Sequence, residues 1–419
     1  MPISPTKDLS GPLLSRTKLL PLLVRFYLVR MTRAGKWFFW PCVLISSYAS
    51  LSLQYQGYVA FSYCAALWIV AFVGLALFRP RLQVQVSQPV RVCAGESFDV
   101  HFDVARPRGG LGTDLCLIAD RLPEGVDAVE EEGVALPVLE RGDSIRAVLR
   151  LKAARRGVHE LKGYRVESDY PLGLLNAVQL FRDPKPLLVY PAFKPLVRVD
   201  LPMGRRYQPG GVALASVIGE STEFLGDREF REGDNVRDID WRATGRLQRL
   251  IVREYREEYF FRVAVVLDTH VPKGSPLVRR QDFERAVSLC AAVGDALARE
   301  EYIVDIFAAG PTLYHLTAGR SLAYLDQILD ILACVEESRE EPFWAIEPEL
   351  SQYLEQLSSA VCVFLDWDAR RRDFLEHLRQ RGVGVKAIVL RSGPCSSSPD
   401  VPGLQVLRPE EFDAGVGEL

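Results

Sequence analysis

The sequence predicts a multidomain chain: an N-terminal two-helix transmembrane hairpin, a β-sandwich, and an α/β domain built on a mostly parallel, Rossmann-like sheet. Three observations predict it. From Trp37 to Phe78 there are 42 consecutive residues without an Asp, Glu, Lys or Arg. Residues 80–195 alternate apolar and polar side chains with a period near two, punctuated by turn residues. From about residue 260, short apolar runs alternate with stretches of helical period.

The uncharged run dictates the hairpin. A single helix of 42 residues would be about 63 Å long, roughly twice the thickness of a bilayer's hydrocarbon core. The run is therefore expected to break once, at Gln54-Tyr55-Gln56-Gly57, giving spans near 37–53 and 58–78. Its late start, length and doubling fit a secretory signal peptide badly. Trp37, Phe38, Phe39 and Trp40 mark one end, and Tyr55 and Tyr58 the turn, as interfacial aromatics do. Lys7, Arg16, Lys18, Arg25, Arg30, Arg33 and Lys36 precede the first span against Asp8 alone, and Arg79 and Arg81 follow the second. Positive flanks on both sides predict cytoplasmic N- and C-termini. Within the basic segment 1–36, Leu19 to Val29 is expected to be a short interfacial helix.

The strands of residues 80–195 begin with Leu82-Gln83-Val84-Gln85-Val86 and Phe98-Asp99-Val100-His101-Phe102. Turns at Arg108-Gly109-Gly110, Pro123-Glu124-Gly125 and Arg141-Gly142-Asp143 separate further short strands, the pattern of a sandwich. Residues 196–259 are expected to hold a linker, with Pro202, Gly204, Arg205, Arg206, Pro209, Gly210 and Gly211, and then an arginine–carboxylate segment. The α/β domain is expected over 260–395, with strands at 261–267, 302–307, 360–365 and 385–390 and helices at 279–301, 320–335 and 369–380. Such sheets present ligands at the carboxyl ends of their strands. Residues 396–419 are left as a C-terminal tail.

Composition narrows the function classes. Net charge is −3 and 25% of residues are charged, which gives no polyelectrolyte footprint for nucleic acid. The eight cysteines form no CxxC pair and sit mostly in apolar runs, as buried free thiols of a reducing compartment do. The five histidines form no HExxH.

The densest chemistry lies at 227–257, with eight arginines, eight acids and no lysine. A guanidinium pairs a carboxylate through two parallel hydrogen bonds and is weakly hydrated, so arginine-only usage suits pairing at a partly buried junction. The balance of acids against bases speaks against nucleic acid. Two readings stay open: an ion-pair network clamping this segment to the domain that follows, or a recognition surface with Trp241 and Phe230 as anchors. No nucleophile–base pair is visible in it.

The run Arg228-Glu229-Phe230-Arg231-Glu232-Gly233-Asp234-Asn235-Val236-Arg237-Asp238-Ile239-Asp240-Trp241-Arg242-Ala243-Thr244-Gly245-Arg246, followed by Leu250-Ile251-Val252-Arg253-Glu254, resembles the signature of the bacterial "domain of unknown function 58" family. Phe230 stands for a tyrosine and Thr244-Gly245 for Ser-Ala. The resemblance implies a membrane-anchored protein of the bacterial inner membrane with a von Willebrand factor A-like domain after the signature. It further implies a non-enzymatic scaffold or adaptor, with a MoxR-type AAA+ ATPase and a transglutaminase-like membrane protein as partners besides membrane lipid. Arg228, Glu229, Gly233, Asp234, Arg237, Asp240, Trp241, Arg246, Arg253 and Glu254 are then the expected structural or partner-binding positions.

A von Willebrand factor A-like domain can hold Mg²⁺ through D-x-S-x-S after its first strand. Here the motif reads Asp268-Thr269-His270-Val271-Pro272, with both serines lost. Asp366 stands after a later strand as a distal carboxylate, and Thr312 and Thr317 are weak candidates for a threonine ligand. Proline offers no side-chain oxygen, and imidazole suits Mg²⁺ poorly. The expectation is a degenerate site and no cofactor. A metal-dependent hydrolase using Asp268, His270 and Asp366 is the alternative, and an envelope sensor with its sandwich outside the cell a further one. Asp366-Trp367-Asp368 mimics a phosphatase DxD, but only 51 residues follow it, too few for the downstream motifs.

Overall fold

The computed structural model describes residues 26–27, 30–52, 55–107, 113–202, 224–231, 234, 236–255, 261–310, 313–318, 325–399 and 401–419. Lys7, Arg16, Lys18, Arg25, Gln54, most of the expected interfacial helix, the Pro/Gly-rich part of the linker, Gly233 and Thr312 lie outside them. The chain divides into two compact units, Met1–Ala192 and Phe193–Leu419.

The first unit opens with helices α1 (Arg33–Ser52) and α2 (Tyr55–Leu77). They lie side by side: Phe38 and Phe39 pack on Trp68 with ring centroids 6.2 Å apart. A Cβ on Gly57 would come within 3.3 Å of the Ala49 backbone. Gly57 thus serves close helix approach, not the turn expected of it, and α2 begins already at Tyr55. Ser47, Ser50 and Ser62 return their hydroxyls to the carbonyls four residues back, so they need no water. Among the described residues one helix, Tyr55–Leu77, is long and apolar enough to cross a membrane by length and composition. Helix α1, expected as the first span, includes Arg33, Lys36 and Pro41 and does not reach that measure.

The strands that follow, numbered along the chain, form three sheets. The first has the order β1 (Gln83–Ser87), β3 (Ser97–Ala105), β7 (Ser144–Ala153), β5 (Val126–Ala128). The second runs β10 (Ala177–Phe181), β9 (Tyr164–Ser168), β4 (Leu115–Ala119), β6 (Val134–Leu136), and the third β2 (Arg91–Cys93), β11 (Lys185–Tyr190), β8 (Gly157–Leu161). Alternation decides which side chains go inside. Val100, Phe102 and Val104 of β3 and Leu149 and Leu151 of β7 share one core with Leu117, Tyr164, Val166, Leu187 and Val189 of the other sheets. Arg146 and Arg150 face outward and pair with Asp103 and Asp99 across the strand.

In the second unit, β12 (Phe224–Glu229) and β13 (Ile251–Tyr255) form an antiparallel pair with the short helix α3 (Trp241–Leu247) between them. A six-stranded sheet follows. Its elements in chain order are β14 (Arg262–Leu267), α4 (Leu277–Arg299), β15 (Ile303–Ala309), β16 (Leu313–Ala318), α5 (Leu325–Cys334), α6 (Phe343–Tyr353), β17 (Ser359–Phe364), α7 (Ala369–Gln380), β18 (Gly384–Leu390), β19 (Leu404–Leu407) and α8 (Pro409–Ala414). The spatial order is β16-β15-β14-β17-β18-β19, parallel throughout except for β16 at one edge. Both faces are covered, which is why β14 from Val263 and β17 from Ala360 are apolar without interruption. Helices α6 and α7 close one face over Ala264, Val266, Phe364 and Val389. Helix α4 packs on the other, against β14, β15 and α5. Residues 404–414, expected in a tail, instead supply the sixth strand and a helix.

The connections after β14 and after β17 leave toward opposite edges of the sheet. Where such neighbours diverge, a crevice opens at their carboxyl ends. Asp366 lines that crevice two residues after β17, and Asp268, directly after β14, is buried behind it.

Candidate functional site

Two places gather the residues singled out in the sequence: the signature hairpin β12–α3–β13 and the crevice beyond β14 and β17.

In the hairpin the acids and arginines pair with one another. Arg228 grips Asp234 through two parallel hydrogen bonds of 2.7 and 2.8 Å, and the Arg231 amide donates to the same carboxylate at 2.7 Å. Those donors hold the Asp234 carboxyl down at about 2. Asp240 caps α3, its Oδ1 accepting from the amides of Arg242 and Ala243 at 2.9 and 3.0 Å, while Arg253 Nε donates to Oδ2 at 3.0 Å. Its pKa is lowered by the Ala243 amide first and by Arg253 next. Arg249 pairs with Glu229, and the Ile251 amide donates to Thr244 Oγ1 at 3.0 Å. Clamping to the following domain was one expectation for this segment; the pairs just named, among the described residues, close within it. They fold the hairpin around Ile239, Ala243, Ile251 and Val252, which are buried. Trp241 remains 66% exposed, and Val236, Leu247 and Leu250 are exposed as well. Arg237 and Arg246 are exposed; the side chain of Glu254 and all of Gly233 lie outside the described residues.

The crevice is a cavity of about 230 Å³ lined by His270, Arg279, Asp282, Glu341, Asp366, Asp368, Arg371 and Ser396 among others. Asp268 lies behind it, fully buried. Its Oδ1 accepts from the His270 amide at 3.0 Å; its Oδ2 accepts from the Leu365 amide at 3.1 Å and from Arg371 Nε at 2.8 Å. Arg371, one turn into α7, is 2% exposed and also pairs with Asp368, which caps that helix. Burial disfavours the charge on Arg371, but Asp268, Asp368 and Glu341 outweigh it, and its pKa is raised. Asp366 accepts from the Ser396 amide and hydroxyl at 2.9 and 2.7 Å and pairs with Arg391. Burial pushes the Asp366 carboxyl up, and the bonds from Ser396, Arg391 and Trp367 overcome this and hold it below its ordinary value.

This donor set does not fit Mg²⁺. Asp268 spends both oxygens on protein donors, Asp366 is satisfied by a serine and an arginine, and Pro272 contributes no oxygen. His270 does not join the two aspartates; its Nε2 stands 3.6 Å from Glu341 Oε1. The side chain of Thr317 lies outside the described residues. Among the described residues, no group of three or more His, Cys, Asp or Glu side chains is arranged to hold a metal ion. Arg371 was missed in the sequence, although a signal was present. Arg370, Arg371 and Arg372 open α7, where the helix dipole favours anions. Cations there need carboxylates of their own: Asp268 and Asp368 supply them for Arg371, and Glu347 for Arg370. Among the cysteines, Cys395 stands beside Ser396 at the crevice as a free, partly exposed thiol, held in its neutral form by burial first and by Asp366 next, while burial pushes Cys362 up to about 12.

Residues 226–361 match the family model described as "Protein of unknown function DUF58", which takes in most of the signature hairpin and the sheet as far as β17. The chain is 24% identical over 280 residues to the "Uncharacterized protein YeaD" of Bacillus subtilis (strain 168), covering 63% of this chain and 67% of that one. Partial likenesses to solved structures are weak. The native conformation of E. coli alpha-2-macroglobulin aligns over 27% of this chain at TM-score 0.21, and the alignment spans only 7% of that protein. A cohesin module from a Clostridium perfringens family 33 glycoside hydrolase aligns over 26% of this chain and 96% of its own at TM-score 0.16.

Proposed function

For a chain that carries the DUF58 segment over residues 226–361, we propose the role of a membrane-anchored, non-enzymatic adaptor. Helices α1 and α2 form a two-span anchor in the bacterial inner membrane with both termini in the cytoplasm. The α/β domain is of the von Willebrand factor A-like kind. Its strand order, counted within the domain as 3-2-1-4-5-6 with an antiparallel third strand, supports that reading. The broad apolar exposure of α2, from Tyr55 to Leu77, supports a lipid surrounding for the anchor.

One observation carries the adaptor reading. The signature hairpin pairs Asp234 with Arg228 and Asp240 with Arg253 and holds Trp241 two-thirds in the open. A tryptophan held out by a rigid, self-paired frame is what an interface anchor requires, and tryptophan and arginine dominate such anchors. In the crevice, Asp268, Asp366 and Asp368 are each paired with an arginine. The partner proposed is a MoxR-type AAA+ ATPase, with a transglutaminase-like membrane protein in the same assembly.

Co-purification from detergent-solubilised membranes tests this. Trp241→Ala and Arg237→Ala chains that keep the wild-type circular dichroism are expected to lose the ATPase. Full recovery of the same partners with both folded variants would remove the hairpin from the interface.

A further inference from the structure

We propose that Arg371 is the resident cation of the crevice: its guanidinium takes the place that a divalent ion takes in a D-x-S-x-S site, and the domain is organised without metal. The proposal concerns the crevice and stands apart from the docking role given to the hairpin.

Two independent departures from a metal site converge on it. The loop after β14 has lost its hydroxyl ligands, with His270 and Pro272 where serines would stand. The helix after β17 has meanwhile delivered a positive charge to Asp268, the carboxylate such an ion would bind. Arg371 Nε lies 2.8 Å from Asp268 Oδ2, Arg371 Nη1 bonds Asp368, and Glu341 Oε1 is 3.9 Å from the same Nη1. Three acids from three separate loops thus face one cation. A divalent ion does the same work in a metal site, drawing loops from different strand ends onto a common charge. Burial makes the substitution decisive. Asp268 is wholly buried and Arg371 nearly so, and a buried carboxylate without a cation is not tolerated. The protein supplies that cation covalently, so none is drawn from solution. Even Asp268 Oδ1, the oxygen left to a ligand on the far side, is turned to the His270 amide.

The proposal predicts a latent metal site that appears when the arginine is removed. Asp268, Asp368 and Glu341 are not spaced as metal ligands while the guanidinium stands between them, and trimming Arg371 to alanine gives them room, beside the cavity of about 230 Å³, to draw together on an ion. The test uses the full chain purified in detergent, with Mn²⁺ alone as probe, read by electron paramagnetic resonance and by thermal unfolding. Wild type is expected to bind no stoichiometric Mn²⁺ and to unfold at the same temperature with Mn²⁺ or with EDTA. Arg371→Ala is expected to unfold earlier and to regain roughly 5–10 °C at Mn²⁺ about a hundredfold above its dissociation constant, by mass action. Arg371→Lys, which keeps a charge, is expected to remain blind to Mn²⁺. Stoichiometric Mn²⁺ on wild type that vanishes in Asp268→Asn overturns the proposal, and this holds even if Arg371→Ala fails to fold. A folded Arg371→Ala chain indifferent to Mn²⁺ overturns it as well.

Discussion

At the scale of single residues, the chemistry is dominated by carboxylates with assigned cations. Asp268 sits where solvent does not reach, so its partnership with Arg371 is not interchangeable with a surface pair. Asp268→Asn removes the charge that Arg371 faces and leaves a buried guanidinium short of a counterion. Breaking such pairs costs about 3–5 kcal/mol, and chemical denaturation of the variant is expected to show a loss of that size. A loss under about 1 kcal/mol, the value of an exposed pair, would contradict the burial. Asp234 makes a pH prediction. Its folded pKa, about 2, lies below the ordinary value near 4. The Arg228–Asp234 pair therefore stabilises the hairpin in full above about pH 4 and ceases to do so as pH falls through about 2. A carboxyl NMR titration is expected to place the Asp234 midpoint near 2, and a midpoint near 4 would show the pair to be loose in solution.

At the scale of elements, glycines 35 and 74 set how closely the helices seat on the loop 170–175. A Cβ on Gly35 would stand 2.1 Å from the Leu174 carbonyl oxygen, and one on Gly74 2.4 Å from the Pro171 ring. Gly35→Ala and Gly74→Ala are each expected to cost about 1–3 kcal/mol by overpacking, seen as faster proteolysis of the 170–175 loop. Unchanged cleavage rates would mean that the loop yields freely. Element identity was legible wherever periodicity was strong. Val263 to Leu267 and Ala360 to Phe364 are buried on both faces and read as central strands from their unbroken apolar runs. Helix α7 was legible as a helix at 369–380, and the structure adds Asp368 as its cap. Strand β16 was not, since Leu313-Tyr314-His315-Leu316-Thr317-Ala318 is short, mixed in polarity and placed at an edge, where only one neighbour fixes it. Helix α6 was hidden by Pro348 within it, and β19 by a run of only four residues. The arginine run opening α7 is a local signal that cations there need carboxylates, but which carboxylate Arg371 takes was hidden: Asp268 is 103 positions away and meets it only through the strand order.

At the scale of the whole molecule, the apolar exposure of α2 is the feature on which the proposed membrane anchor rests. The full chain is expected to stay with membranes through an alkaline carbonate wash, and recovery in the supernatant would remove the anchor from the account. A reporter fused near residue 85 is expected to be read from the cytoplasm. The helices are also more than a tether. Thr32 Oγ1 donates to the Gly173 carbonyl at 2.5 Å, the Asn176 amide donates to the Arg30 carbonyl at 2.7 Å, and Phe78 packs edge-on against Tyr170 at 4.5 Å. Met31, Ala71 and Leu175 are buried together at the same seam. The outer ends of both helices are thus bolted to one loop of the sandwich at several points, as a bracket is fixed by more than one screw. A tilt of the helix pair would therefore reach the sandwich through the 170–175 loop as well as through the short connection 78–82.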